Sequence, residues 1–147
     1  MKRKKVWRYY CEFCKKSGGH KYWMERHEGG CTINPGRICG MCSLVGNYQT
    51  PIEELKNIIS KYICKDTGEI PFVITNLIVD EKKTLAELRE KTNNCPACIL
   101  AAIRQSDLSE TQGINFNFKD ERDRFFVLRN TTQKINMGII RRTYRVL

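Results

Sequence analysis

The chain has 147 residues, 41% of them apolar, and a formal net charge of +10. That length suits one domain or two very small ones with a modest core, and no stretch approaches the roughly 18 uninterrupted apolar residues of a membrane span. Eight cysteines are many for this length; they imply either a disulfide framework in an oxidising compartment or metal ligation in a reducing one. Met1 to Tyr10 is basic and aromatic and lacks the apolar run of a signal peptide, so the sequence reads as soluble and cytoplasmic, with reduced thiols.

The charge is unevenly placed. Ten Lys/Arg face three Asp/Glu over residues 1–50, seven face eight over 51–95, and nine face five over 96–147. Two basic ends around a neutral middle favour encounter with polyanions, nucleic acid above all.

In chain order the first element is the motif Cys11-x2-Cys14-x12-His27-x3-Cys31. Zinc takes four tetrahedral ligands at about 2.0–2.3 Å, so the first pair must come from a tight turn and the second from one helix face a turn apart. This spacing meets both demands. The segment resembles the classical zinc finger with two cysteine and two histidine ligands, in the variant where the last histidine is a cysteine, here Cys31. Tyr9 stands where that finger has an aromatic before the first cysteine, and Met24 where it has its helix leucine.

The resemblance implies a ββα finger with His20, Trp23 and Arg26 at the helix positions that read bases. Arg26 suits guanine; Trp23, beside Tyr22, is bulky and suits packing or a protein partner at least as well. The finger's core aromatic is replaced by Gly18, followed by Gly19. A finger without that ring has almost no apolar core beyond the metal, so side chains from elsewhere are expected to fill the gap and dock the finger onto the rest of the chain.

Cys39-Gly40-Met41-Cys42 follows as a knuckle, and the front ends near Asn47. Thr50-Pro51-Ile52-Glu53 predicts a helix with Thr50 as N-cap, Pro51 at the first position and Glu53 reaching back. Ile52, Leu55, Ile58, Ile59, Tyr62 and Ile63 give it a core face. Asp66-Thr67-Gly68 is a turn, and the apolar run Ile70 to Val79, which carries Pro71, is either strand or buried helix. Thr84 with Glu87 predicts a capping box opening a short helix to about Lys91, stopped by Asn93-Asn94. Cys95-Pro96 starts the next helix, with Ile99, Leu100 and Ile103 on its apolar face. After a polar loop, Ser106 to Gly113, Ile114 to Phe118 alternates as a strand would, and a helix is expected from about Lys119 to Asn130 on Phe125, Phe126 and Leu128. The segment after Thr131 reads as extended.

Cys95-Pro96-Ala97-Cys98 and Cys39-Gly40-Met41-Cys42 each resemble half of a zinc ribbon or treble-clef site. Joined, they make a four-cysteine site that ties the front to the helical middle. Cys64 is then left over as a core residue. A rival pairing groups Cys11, Cys14, Cys39 and Cys42, leaving His27, Cys31, Cys95 and Cys98; the first scheme keeps every spacing that the finger resemblance requires.

Enzyme readings fare poorly. The second Cys-x-x-Cys pair follows a polar run late in the chain, whereas a thioredoxin-type motif follows a buried strand early in its domain. A zinc deaminase needs a glutamate two residues after a ligand histidine and a Pro before its Cys-x-x-Cys; Glu28 directly follows His27, and Asn94 precedes Cys95. Filled zinc sites hold no catalytic water.

The expected fold is α+β and mostly helical, a small zinc-stabilised domain with an N-terminal ββα-like finger and a second, four-cysteine knuckle site. Residues 1–47 form the finger region, 48–130 the helical body and 131–147 a basic tail. Two zinc ions are expected, on Cys11, Cys14, His27 and Cys31 and on Cys39, Cys42, Cys95 and Cys98. Lys2, Arg3, Lys4, Lys5, Arg8, Lys15, Lys16, Lys21 and Arg26 are candidate nucleic-acid contacts, which Arg141, Arg142 and Arg145 could extend. The alternative is a zinc-stabilised interaction module, a regulator or inhibitor of a host complex, anchored by Trp7, Tyr22 and Trp23. A weaker resemblance, to small zinc-finger-type proteins of bacterial and phage genomes, rests on Cys11 to Gly19, Arg37 to Cys42 and Cys95 to Ala102, and implies the zinc ligands without a function.

Overall fold

Apolar residues at helical spacing build the body. A computed structural model describes residues 6–65, 77–106, 114–127 and 129, with the backbone alone for residues 64, 65, 77 and 78. The described elements are β1 (Tyr9–Tyr10), β2 (Ser17–Gly18), α1 (Lys21–Gly30), α2 (Gly40–Val45), α3 (Ile52–Lys61), β3 (Ile63–Lys65), β4 (Leu77–Val79), α4 (Glu81–Lys91) and α5 (Pro96–Gln105); a further helix, α6, spans 118–127. The protein is thus a small, mostly helical α+β structure. Residues 1–5, the turn at Asp66 to Gly68, the run at 70–76, the loop at 107–113 and the segment 131–147 lie outside the described residues, as does the side chain of Cys64.

The body is α3, α4 and α5 packed on one another. Leu55, Ile58 and Ile59 of α3 meet Leu85 and Leu88 of α4 and Ile99 and Ala102 of α5, and Phe125 of α6 closes the cluster. Cys39, Cys42, Cys95 and Cys98 belong to this same core. Helix α3 ends at Lys61, earlier than its apolar periodicity suggests, because Ile63 pairs with Val79 in the antiparallel β3–β4 hairpin.

Three local expectations are corrected. Thr50 does not cap α3; its hydroxyl donates to Lys91 O at 2.8 Å, tying α3 to the end of α4, and Pro51 takes the N-cap. Helix α4 begins three residues before Thr84. Asp80 caps it by accepting from Lys83 N at 3.2 Å, while the buried Thr84 hydroxyl donates back to Asp80 O at 2.8 Å. A buried hydroxyl needs a partner, and the carbonyl four residues earlier is the nearest one. Ile114 to Asn117 forms no strand, although Ile114 and Phe116 do turn towards the core. Asn117 then caps α6, its side-chain oxygen accepting from Lys119 N and Asp120 N.

Asn93 and Asn94 both take left-handed backbone, φ +50° and +59°, a conformation asparagine tolerates better than most residues. Asn94 N donates to Arg89 O at 2.7 Å, as in a Schellman closure. This sharp reversal delivers Cys95 to the N-cap of α5.

Glu87 joins α4 to the end of α3, accepting from Tyr62 Oη at 2.6 Å and pairing with Lys61 Nζ at 2.9 Å. The Tyr62 hydrogen bond first, and Lys61 second, hold its carboxyl below its ordinary value of 4.5. A folded pKa below the unfolded one gives stability that is present above the unfolded value and lost as pH falls through the folded one. Glu87→Gln should therefore lower the urea midpoint at pH 7, with the deficit closing as both proteins are taken to the acid side of the carboxylate range. A deficit independent of pH would contradict this role.

Candidate metal centres

Two groups of four side chains each bring their ligand atoms within 4.8 Å of one another, Cys11, Cys14, His27 and Cys31 in one and Cys39, Cys42, Cys95 and Cys98 in the other. This is the first of the two pairings considered from sequence. Each group could hold a metal ion.

At the first centre, Cys11 follows β1, and Cys14 lies in a turn closed by Cys11 N donating to Lys16 O at 2.9 Å. Glu28 of α1 accepts from Glu12 N at 2.9 Å, so the helix grips the cysteine turn directly. His27 lies in the last turn of α1 and Cys31 is its C-cap. Cys14 Sγ and His27 Nε2 are 3.2 Å apart. Edges of a tetrahedron are about 1.6 times its bond lengths, so zinc ligands should stand roughly 3.3–3.8 Å apart, close to what is seen.

The gap left by the missing finger aromatic is filled from within. A Cβ on Gly18 would lie 3.4 Å from Met24 Cε, and Met24 with Cys11, Cys31 and Cys14 makes up the local cluster. The expectation that distant side chains fill this gap is thus corrected: a thioether reaches across the space because the glycine leaves room for it. Docking onto the body is instead polar. Gln105 Nε2 donates to Thr32 O at 2.8 Å and Asn34 O at 3.1 Å, Arg104 donates to the Thr32 hydroxyl at 2.9 Å, and Ile38 N donates to Gly29 O at 2.8 Å.

At the second centre both cysteine pairs sit at helix starts, Cys39 as N-cap of α2 and Cys95 as N-cap of α5. Neither N-cap makes a side-chain capping bond, and the dipoles of the two N-termini favour thiolate. Cys39 and Cys95 sulfurs are 3.6 Å apart, as are those of Cys42 and Cys98. Disulfide sulfurs would lie about 2.0 Å apart, and all four thiols are free.

Hydrogen bonds from Cys95 and Cys98 hold the Cys39 thiol below its ordinary range, against the effect of burial. Burial first, then the neighbouring thiolate charge, pushes Cys42 up to about 12. Cys95 and Cys98 are raised, chiefly by their hydrogen bonds to Cys39. Four buried sulfurs therefore keep most of their protons unless a cation replaces them, which is the proton release expected on metal binding.

Sequence reasoning missed two residues here. Arg37 is buried and its Nη1 donates to Cys98 Sγ at 3.7 Å. Gln49 donates to Arg37 O at 2.8 Å and accepts from Cys39 N, clamping the approach to Cys39. Nothing in the sequence marks Gln49, but Arg37 is the only charged residue between Glu28 and Glu53.

Of the basic candidates, Arg8, Lys15, Lys16, Lys21 and Arg26 are exposed around the first centre, and Lys2, Arg3, Lys4 and Lys5 lie outside the described residues, as do Arg141, Arg142 and Arg145. Arg26 stacks on Trp23, its guanidinium carbon 5.9 Å from the ring centroid. Trp7, Tyr22 and Trp23 are 88%, 63% and 60% exposed. A cleft of about 220 Å³ beside β1 is lined by Tyr9, Tyr10, Lys21 and Met24 with three carboxylates, Glu12, Glu25 and Glu28, a setting that disfavours phosphate. Among the described residues no helix is long and apolar enough to cross a membrane. No protein family, curated protein or solved structure matches the chain.

The pairing makes a testable distinction. In His27→Ala, alkylation followed by peptide mapping should label Cys11, Cys14 and Cys31 quickly and leave Cys39, Cys42, Cys95 and Cys98 protected. Rapid labelling of Cys31, Cys95 and Cys98 with Cys11 still protected would restore the rival pairing.

Proposed function

We propose that this chain is a noncatalytic zinc protein holding two zinc ions, a variant finger on Cys11, Cys14, His27 and Cys31 and a structural site on Cys39, Cys42, Cys95 and Cys98, and that it contacts nucleic acid through the basic face of the finger. The observation that carries the zinc reading is the pair of four-ligand clusters, each within 4.8 Å, with ligand atoms 3.2 Å apart at the first and 3.6 Å apart at the second. Sulfur-rich sets of this kind select zinc over harder cations, and four protein ligands leave no open position for a reactive water.

The nucleic-acid reading draws on charge. Arg8, Lys15, Lys16, Lys21 and Arg26 are exposed around the finger, and among the described residues Lys21 alone of these has an ion pair, an exposed one to Glu25 at 3.6 Å. Base reading by α1 has less support, because Arg26 is engaged with Trp23 and one finger spans only about three base pairs. Backbone contact of low sequence specificity fits better. The exposed Trp7, Tyr22 and Trp23 support the second reading, a protein-interaction module, since large exposed aromatics anchor protein interfaces.

Salt dependence separates the two. Five phosphate contacts predict that log affinity falls with log salt at a slope of about −4.5 for duplex and about −3.5 for single strands. Replacing Lys15, Lys16 and Lys21 together with alanine should reduce that slope by about 3. Absence of binding at low salt, with a protein retained instead through Trp7 and Trp23, would replace this reading with the second one.

A further inference from the structure

Arg37 is only 6% exposed, and no ion pair among the described residues includes it. Its Nε is buried without a hydrogen-bond partner. An ionised guanidinium away from water is strongly unfavourable unless a negative group faces it, and arginine does not escape by losing its proton. The acceptor it does reach is Cys98 Sγ, 3.7 Å from Nη1. Neutral thiols are weak acceptors, so this arrangement makes physical sense when the sulfurs carry charge.

Charge counting points the same way. Zinc with three thiolates and a neutral histidine sums to −1, while zinc with four thiolates sums to −2 at the more deeply buried of the two centres. One guanidinium brings the second centre to −1 as well. The side chain is not there by accident of a loose loop, since Arg37 N donates to Asn34 O at 3.2 Å and Gln49 fixes both Arg37 O and Cys39 N. Asn34 is itself held to the body by Gln105. We infer that Arg37 is the built-in counter-charge of the four-cysteine centre, a positioning residue that sets how tightly this centre, and not the finger, holds its metal. The inference rests on the zinc reading.

The test uses the full chain, with cobalt(II) as a spectroscopic probe and zinc competition against a chromophoric chelator, in wild type, Arg37→Met and Arg37→Lys. Methionine keeps an unbranched apolar stem without charge; lysine keeps charge without the planar fork. Outer-shell partners of metal ligands are typically worth about 10–100-fold in metal affinity. Arg37→Met should weaken one of the two sites by that factor and leave the other unchanged. Losing an N–H donor to a thiolate raises the energy of its lone pairs, so the sulfur-to-cobalt charge-transfer band of the four-sulfur site should move to longer wavelength. Arg37→Lys should fall between Arg37→Met and wild type. A packing role predicts the reverse order, with methionine tolerated better than lysine, and that order would overturn the inference. Wild-type affinity and an unmoved band in Arg37→Met would do the same. Should Arg37→Met not fold, Arg37→Gln, polar but uncharged, takes its place: a selective loss at the four-sulfur site larger than that of Arg37→Lys, with a shifted band, supports the counter-charge role, and wild-type values refute it. Failure of the wild type to take up two ions would instead overturn the zinc reading, and this inference with it.

Discussion

Four cysteine sulfurs buried between two helix N-termini must either keep protons or share a cation, and the rest of this structure is arranged around that choice. The four side chains are almost wholly buried and are continuous with Leu55, Ile59, Leu88 and Ile99. They are not appended to a core; they are its centre. A metal ion held by these four sulfurs would join residues 39–42 to residues 95–98, closing a loop that contains α3, the β3–β4 hairpin and α4.

The segment of the first centre rests on that body without sharing its core. Its own interior is one methionine and its cysteines, too little to stabilise ten residues of helix. Two things compensate. Glu28 holds the cysteine turn, and Gln105 and Arg104 at the end of α5 hold the chain just beyond Cys31. The first centre is therefore oriented by hydrogen bonds from the helix that begins at the second one. This leaves the outer face of α1, with Tyr22, Trp23 and Arg26, exposed.

Much of the metal arrangement was legible in the sequence because metal geometry imposes short, fixed spacings. The Cys11 to Cys31 site follows from that, and the helix start at Cys95-Pro96 from proline at the first helical position. Asn93-Asn94 was equally readable, since two consecutive asparagines suit a left-handed reversal. What failed were signals with two valid uses. Thr50 and Thr84 look like caps, but each hydroxyl serves a carbonyl at or behind a helix instead, Thr84 because it is buried on its own helix and Thr50 because the end of α4 comes within its reach. Ile114 to Phe118 alternates like a strand, yet among the described residues no strand pairs with it, and Asn117 caps a helix. Met24 filling the Gly18 gap required knowing how near the two come in space. Arg37 was countable as surface charge, and only three dimensions reveal it against Cys98.

The central claim is that metal holds this fold together, and metal analysis of the purified full chain alongside circular dichroism tests it most directly. The account predicts about two zinc ions per chain, with loss of cooperative unfolding and of most helical signal when they are chelated. A chain that stays folded and cooperative without metal would contradict it.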